Sequence, residues 1–268
     1  MTAPAWLEGD LTTLALCWRL DRADGVTIGF TAHDRDLVIA GVVYRSSPGM
    51  VPSAIHQSDG FDVDGALTGD AITDADLSAG RWDGAALALF AIDWSDPAAA
   101  PLAIASGEIG DVSIKDDAFT AELRGPTALL ERPVVEQTAP DCRASLGDRR
   151  CRIDLAPRTR IAHVMASAGQ GLTLDQAEPS ANAYAYGRMR WLDGANAGLA
   201  APIAASDGTQ VTLRDAPAYP TAAGALVELV EGCDRRFETC CTRFANAANF
   251  RGEPFLPGTD LLTRYGTD

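Results

Sequence analysis

The first half of the chain reads as short apolar runs separated by turn residues, which predicts strands. Residues 11–19 are apolar and β-prone, and 26–31 follow after a turn over 21–25. The run 38–44 is broken near Gly41, 51–56 leads into 61–63, and 87–94 is almost continuously apolar. A strand covered on both faces has that last pattern. The clearest hairpin joins 104–114 to 119–124, and in its second arm Phe119, Ala121 and Leu123 alternate with Thr120, Glu122 and Arg124. Short helices are predicted at 72–78, where Thr73 or Asp74 can cap, and at 126–132, which opens on Pro126. This spacing of strands and turns predicts a barrel or sandwich.

The second half opens on an arginine-rich loop, with six arginines in residues 141–160. Strands are predicted at 161–166, 188–192, 210–213 and 225–229, with Gly, Ala and Pro between them. A helix is expected over 235–246 with Asp234 as its N-cap. On it Phe237, Cys241, Phe244 and Ala248 fall at i, i+4, i+7 and i+11, one apolar stripe facing a core. The tail 249–258 holds two prolines and two glycines and is expected to run extended over a surface. The fold class is therefore mainly β with a few short helices.

Length and charge divide the chain. At 268 residues it is long for one core and comfortable for two. A hydrophobic fraction of 47% and a charged fraction of 22% are those of a soluble globular protein. No apolar run approaches the roughly 18 residues of a membrane span, and the acidic first ten residues do not have the form of a signal peptide. Of the net charge of −15, residues 1–140 carry 22 acidic against 8 basic side chains, and residues 141–268 carry 15 against 14. That step predicts a boundary, with an acidic β domain over 1–139 and a C-terminal domain over 140–268. An acidic first half argues against groove-reading DNA binding, which needs basic contacts to phosphate.

Familiar catalytic constellations are missing. Lys115 is the only lysine and sits in a strand-like run, so there is no phosphate-loop lysine. His33, His56 and His163 lie far apart, without a His-Glu-x-x-His pair, and no Gly-x-Ser-x-Gly elbow occurs. The run His33–Asp36 reads as a turn, and Asp62/Asp64 and Asp74/Asp76 have no evident cleft for acid–base work. His163, Trp191, Tyr184 and Tyr186 are expected in strand cores. The chain is expected not to be an enzyme.

The cysteines carry the remaining chemistry. Cys17 stands alone in a first-half strand, as a buried apolar residue. Cys142 and Cys151 bracket a loop with the turn Gly147–Asp148, while Cys233 precedes the predicted helix and Cys240 and Cys241 lie on it. On one continuous helix Cys233 and Cys240 would be about 10 Å apart along the axis. A turn at 232–234 lets both face one pocket. Cys240 and Cys241 diverge by about 100°; with Cys241 on the apolar stripe, Cys240 is taken as the ligand and Cys241 as core. Three states compete: reduced buried thiols, disulfides, and a four-thiolate metal site. Nothing points to export, which disfavours disulfides. Zinc sites use short Cys-x2–4-Cys knuckles that neither pair has, whereas an iron–sulfur cluster accepts wider spacing and suits the surrounding arginines.

The chain resembles the phage tail-tip hub proteins of the DUF2163 and BR0599 type, including the hub of gene transfer agent particles. The resemblance rests on Phe30-Thr-Ala-His-Asp-Arg-Asp36, Gly80-Arg-Trp-Asp-Gly-Ala85, Gly107-Glu108 and Thr120-Ala-Glu-Leu-Arg-Gly125. In the second half it rests on residues 142–151, Gly232-Cys-Asp234 and Asn249-Phe-Arg-Gly-Glu-Pro-Phe-Leu-Pro-Gly258. It is similar, too, to the lambda-type tail-tip protein, which carries a four-iron cluster (4Fe-4S) on four cysteines. The resemblance implies ligand roles for Cys142, Cys151, Cys233 and Cys240 and leaves Cys241 unassigned. It implies a structural hub of the virion tail baseplate, assembled in the host cytoplasm as a ring of three copies. That ring would join the distal tail ring protein to the large central tip protein, with DNA passing through without specific binding and no membrane contact. The cluster lobe would be 140–160 and 232–268, with a small β domain inserted at 161–231. Closing so long a loop costs several kcal/mol of chain entropy, which thiolate–iron bonds would offset. The other readings are an iron–sulfur oxidoreductase, a tail-borne cell-wall peptidase, and a zinc-stabilised binding module on the same four cysteines.

Overall fold

The structure is a computed structural model that describes residues 4–7, 13–46, 50–52, 61–66, 72–115, 118–125 and 135–256. The chain splits into two compact units, Met1–Val134 and Val135–Asp268.

The first unit is built on one nine-stranded, curled sheet. Its strands are β1 (Leu14–Asp21), β2 (Thr27–Thr31), β3 (Leu37–Ile39), β4 (Val42–Arg45), β5 (Met50–Pro52), β6 (Phe61–Ala66), β7 (Ala86–Asp93), β8 (Leu102–Lys115) and β9 (Ala118–Arg124). They are ordered β3-β4-β2-β1-β7-β8-β9-β6-β5. Strands β1 and β7 lie at the centre, pairing antiparallel from Leu14↔Asp93 to Asp21↔Ala86. Trp18 and Leu20 point into one cluster with Phe30, Trp82, Leu87 and Leu89, while Ala15 and Cys17 join Leu37, Tyr44 and Ile92 in another. Apolar packing on both faces accounts for the unbroken hydrophobic runs. The break at Gly41 is a two-residue turn in which Ala40 (φ 50°) and Gly41 (φ 82°) are both left-handed, joining β3 to β4. The first predicted helix is α1 (Asp74–Ser78), capped by Thr73, whose Oγ1 accepts from the Asp76 amide at 3.0 Å. The helix predicted over 126–132 and most of the strand predicted over 51–56 lie outside the described residues.

The second unit contains a closed six-stranded barrel. Its strands are β10 (Thr159–Ala168), β11 (Gly171–Leu174), β12 (Arg188–Trp191), β13 (Ala200–Asp207), β14 (Gln210–Leu213) and β15 (Leu226–Val230). The order β10-β11-β14-β13-β12-β15 returns to β10, so the barrel has no free edge. Val164, Leu172, Met189, Trp191, Ile203, Val211, Val227 and Leu229 fill the interior. Two expectations about aromatic and histidine burial fail here. His163 stands on the outer face of β10 with its side chain 54% exposed, because Ala162 and Val164 take the inward positions. Tyr186 is 62% exposed, while Tyr184 and Trp191 are buried as expected. No helix among the described residues is long and apolar enough to cross a membrane.

Candidate metal centre

The barrel delivers the two cysteine segments side by side. Its first and last strands are neighbours, with Thr159 paired to Val230 and Arg160 to Leu229. The chain therefore enters and leaves the barrel at one place, where the Glu231 amide donates to the Arg158 carbonyl at 3.1 Å. The loop-closure entropy set against metal bonds in the sequence reading is thus met by the barrel's own core. Gly187 and Gly232 make this junction tight. A Cβ at 232 would lie 1.9 Å from the Ala185 carbonyl oxygen, and one at 187 would lie 2.1 Å from the Val230 carbonyl oxygen. Only glycine fits at such backbone crossings.

Beyond the junction the helix is shorter than expected. α2 covers Phe237–Thr242 with Arg236 at its N-cap. Asp234 does not cap it: one carboxylate oxygen accepts from the Arg236 amide at 3.0 Å and the other from the Thr239 hydroxyl at 2.9 Å, fixing the turn that follows Cys233. The chain leaves the helix at Arg243, takes a left-handed residue at Ala245 (φ 48°) and makes a 3-10 turn over Ala247–Asn249. The predicted stripe dissolves accordingly. Cys240 and Phe244 are buried, Cys241 is only partly so, and Ala248 is exposed. The assignment of Cys241 to the core is corrected. Nor is the tail simply extended, since it includes that 3-10 turn and a turn at residues 254–255.

Cys142, Cys151, Cys233 and Cys240 all line one small cavity, walled by Ala144, Leu146, Ile153, Phe244 and Phe250. Cys241 does not line it. All six cysteines are free thiols, Cys17 being fully buried in the first unit beside Thr31. Backbone turns aim donors at three of the four sulfurs. The Arg251 amide lies 3.4 Å from Cys142 Sγ and the Arg235 amide 3.4 Å from Cys233 Sγ. Asn246 Nδ2 lies 3.7 Å from Cys151 Sγ while donating to the Cys151 carbonyl at 2.7 Å. Two residues beside these cysteines, Arg152 (φ 63°) and Arg235 (φ 64°), hold left-handed backbone conformations that cost about 1–2 kcal/mol each.

Electrostatics record how close the thiols are. Burial pushes Cys240 up to about 11, and charge on Cys142, Cys233 and Cys151, then Cys241, adds to the rise. Cys233 is also raised, first by burial and then, against the Arg235 amide hydrogen bond, by Asp234, Cys151 and Cys142. Cys233 and Cys240, both raised by burial and by the neighbouring thiols, need positive charge close by to be held as thiolates. No three His, Cys, Asp or Glu side chains among the described residues converge on one ion position; the four sulfurs instead line the walls of a cavity. With four sulfurs, apolar side chains, Arg235, Arg236, Asn246 and Asn249 lining it and N–H groups directed at sulfur, the cavity has the donor set that an iron–sulfur cluster would use.

A second layer fixes the walls. Glu231, 9% exposed, accepts from Arg158 Nη1 and Arg243 Nη2, both at 2.8 Å. Both guanidiniums stack on the Phe244 ring, 4.8 and 5.0 Å from its centroid. Arg143 makes a two-pronged pair with Glu253, at 2.7 and 2.9 Å, and contacts Glu136. Sequence reasoning found neither Asn246 nor this network. The available signal was an acid, Glu231, ending an apolar strand. The other singled-out polar groups stay apart: His33 packs on Trp94, and His163 pairs with Asp175 at 3.0 Å.

A β-sheet unit followed by a barrel that presents four cysteines around one cavity defines a two-unit, mainly β protein with a thiol-lined centre. Family comparison gives that class its place. Residues 2–154 match the family model described as the baseplate hub protein N-terminal attachment domain, and residues 182–260 match the phage conserved hypothetical protein BR0599 model. The chain belongs to the phage baseplate hub family. A chain in the solved virion of a native gene transfer agent particle is similar to it, with 38% identity and a TM-score of 0.86, covering 98% of this chain and 95% of that one. No curated protein matches significantly.

Proposed function

We propose that this chain is a non-catalytic connector of the virion tail baseplate, whose cysteine lobe is locked by a 4Fe-4S cluster on Cys142, Cys151, Cys233 and Cys240. The observation that carries the reading is the convergence of these four thiols, from segments on either side of the barrel, on one apolar cavity. When bound, such a cluster supplies covalent cross-linking and charge neutralisation to the four thiolates. The chain's own residues do the rest: Arg251 and Arg235 amides and the Asn246 side chain hold the sulfurs, and Phe244 and Phe250 keep water out. A cluster is preferred to a single zinc ion because neither cysteine pair has the short Cys-x2–4-Cys knuckle usual at zinc sites. The peptidase reading would need His163 beside a thiol, and His163 pairs instead with Asp175 at 3.0 Å.

In the baseplate the chain acts as one of three copies in a ring, joining the distal tail ring to the central tip protein. The acidic first half, with 22 acids against 8 basic residues over 1–140, keeps passing DNA from sticking. The deciding experiment is iron, zinc and acid-labile sulfide analysis of protein purified without oxygen, with visible spectroscopy. Iron and sulfide in equal amounts, abolished by Cys142→Ser or Cys233→Ser, are expected. Stoichiometric zinc without sulfide, or no metal, overturns the cluster; a monomer under conditions that assemble the tail tip overturns the ring.

A further inference from the structure

Two clefts meet at Cys233 on the outside of the cysteine cavity, and arginines line both. One is bordered by Arg188, Arg235 and Tyr186, and its neighbour by Arg214, Arg235 and Tyr186. Three strands of the barrel set the spacing. Arg188 on β12 pairs across to Pro202 on β13, and the Arg214 amide, just past β14, donates to the Pro202 carbonyl at 2.9 Å. All three residues are exposed on the outer face, which puts the two arginine backbones about 10 Å apart, two strand spacings. Arg235 enters from the cysteine lobe, held by its carbonyl, which accepts from the Cys142 amide at 2.8 Å.

Among the described residues, no carboxylate or carbonyl accepts from the side chains of Arg188, Arg214 or Arg235. Arg143, Arg158, Arg190 and Arg243 in the same unit are all paired. The acids that border the clefts are already engaged: Asp234 accepts from the Arg236 backbone amide and the Thr239 hydroxyl, and Glu231 pairs with the guanidiniums of Arg158 and Arg243. Tyr186, a left-handed residue at φ 62°, stands exposed over the shared wall. The floor is the rigid crossing of Gly187 and Gly232.

We infer that these clefts are a docking site for an acidic segment of a partner polypeptide, whose carboxylates pair with Arg188, Arg214 and Arg235 while an apolar or aromatic side chain rests on Tyr186. Guanidinium forks match carboxylates, and at such separations each takes its own. A polyphosphate is the competing anionic occupant of the same arginines, and the probes below set it directly against the acidic peptide. The inference deepens the connector reading by giving the chemistry of a partner, and rests on it only for that partner's being a tail protein.

The test uses the full chain and three probes: a labelled peptide of six aspartates carrying one tyrosine, a thymidine oligonucleotide of equal charge, and inorganic phosphate. Anisotropy titrations should show peptide binding that weakens with salt. Removing Arg188 or Arg214 should weaken it about tenfold, so Arg188→Ala/Arg214→Ala should come close to abolishing it. Both substitutions lie on the outer barrel surface, and circular dichroism with thermal unfolding shows whether the barrel is intact; if it is not, the milder Arg188→Gln/Arg214→Gln pair is read instead. No peptide binding, undiminished binding by the variant, or tighter binding of the oligonucleotide or of phosphate overturns the inference. None of these outcomes touches the metal content, so the cluster and hub readings stand or fall separately.

Discussion

Glu231 and Arg243 meet at 2.8 Å where the last barrel strand gives way to the cysteine lobe, and the same arginine lies over the ring of Phe244. Through this contact the barrel holds a wall of the cavity. Replacing Glu231 by alanine strands two guanidiniums at a nearly buried position. We expect Glu231→Ala to destabilise the second unit by about 3 kcal/mol, read as a lower midpoint in denaturant unfolding. Glu231→Gln should recover part of the loss through one retained hydrogen bond.

Gly232→Ala tests the backbone crossing. A methyl group there meets main-chain atoms, with Gly187 N at 2.1 Å as well as the Ala185 oxygen, and main chain cannot rotate aside. A loss of about 3 kcal/mol or failure of the lobe to fold is expected. Gly208→Ala is the control: its Cβ meets nothing within 4 Å, and only the strain of φ 58° is added. That strain is about 1–2 kcal/mol.

Asn246→Ala removes the only side-chain donor to a cavity sulfur among the described residues, at Cys151. If the cavity holds a cluster, the variant should still acquire iron, with affinity weakened about tenfold or more. Its reduction potential should shift negative, because hydrogen bonds to sulfur favour the reduced, more negative cluster. Spectroelectrochemical titration reads the shift; an unchanged potential would mean that this amide serves the Cys151 carbonyl alone.

Glu253 is held down to about 2 by Arg143, helped by the Ala139 amide. A carboxylate depressed in the folded state stabilises above its unfolded pKa of about 4.3. That contribution fades as pH falls through about 2. The Glu253→Gln variant should therefore be less stable than the wild type at pH 7 and approach it below pH 4. Thermal melts across that range check the sign.

Legibility in the sequence followed local signal. The central strands β1 and β7 and the β8–β9 hairpin announced themselves through apolar runs and strict alternation. β11 and β13 did not: one is four residues long, and the other, Ala-Ala-Pro-Ile-Ala-Ala-Ser-Asp, presents little but alanine around the single large core residue Ile203. The turn after Gly232 was visible because a seven-residue cysteine spacing cannot serve one pocket on a continuous helix. The stripe through Phe237, Cys241 and Phe244 misled, since periodicity carries no sign that the helix stops at Thr242. Donors such as the Arg251 amide leave no mark at all, being backbone groups aimed by a turn more than a hundred residues from Cys142.

One consequence of the barrel's placement concerns time. During synthesis the Cys142–Cys151 loop emerges first, and about ninety residues must follow before Cys240 and the Asn246 side chain leave the ribosome. A truncated product cannot assemble the cavity, however well its first unit folds. If the cavity takes a cluster, the loaded site would mark a chain read through at least to Asn246, and a tail that incorporates only such chains would carry its own quality control.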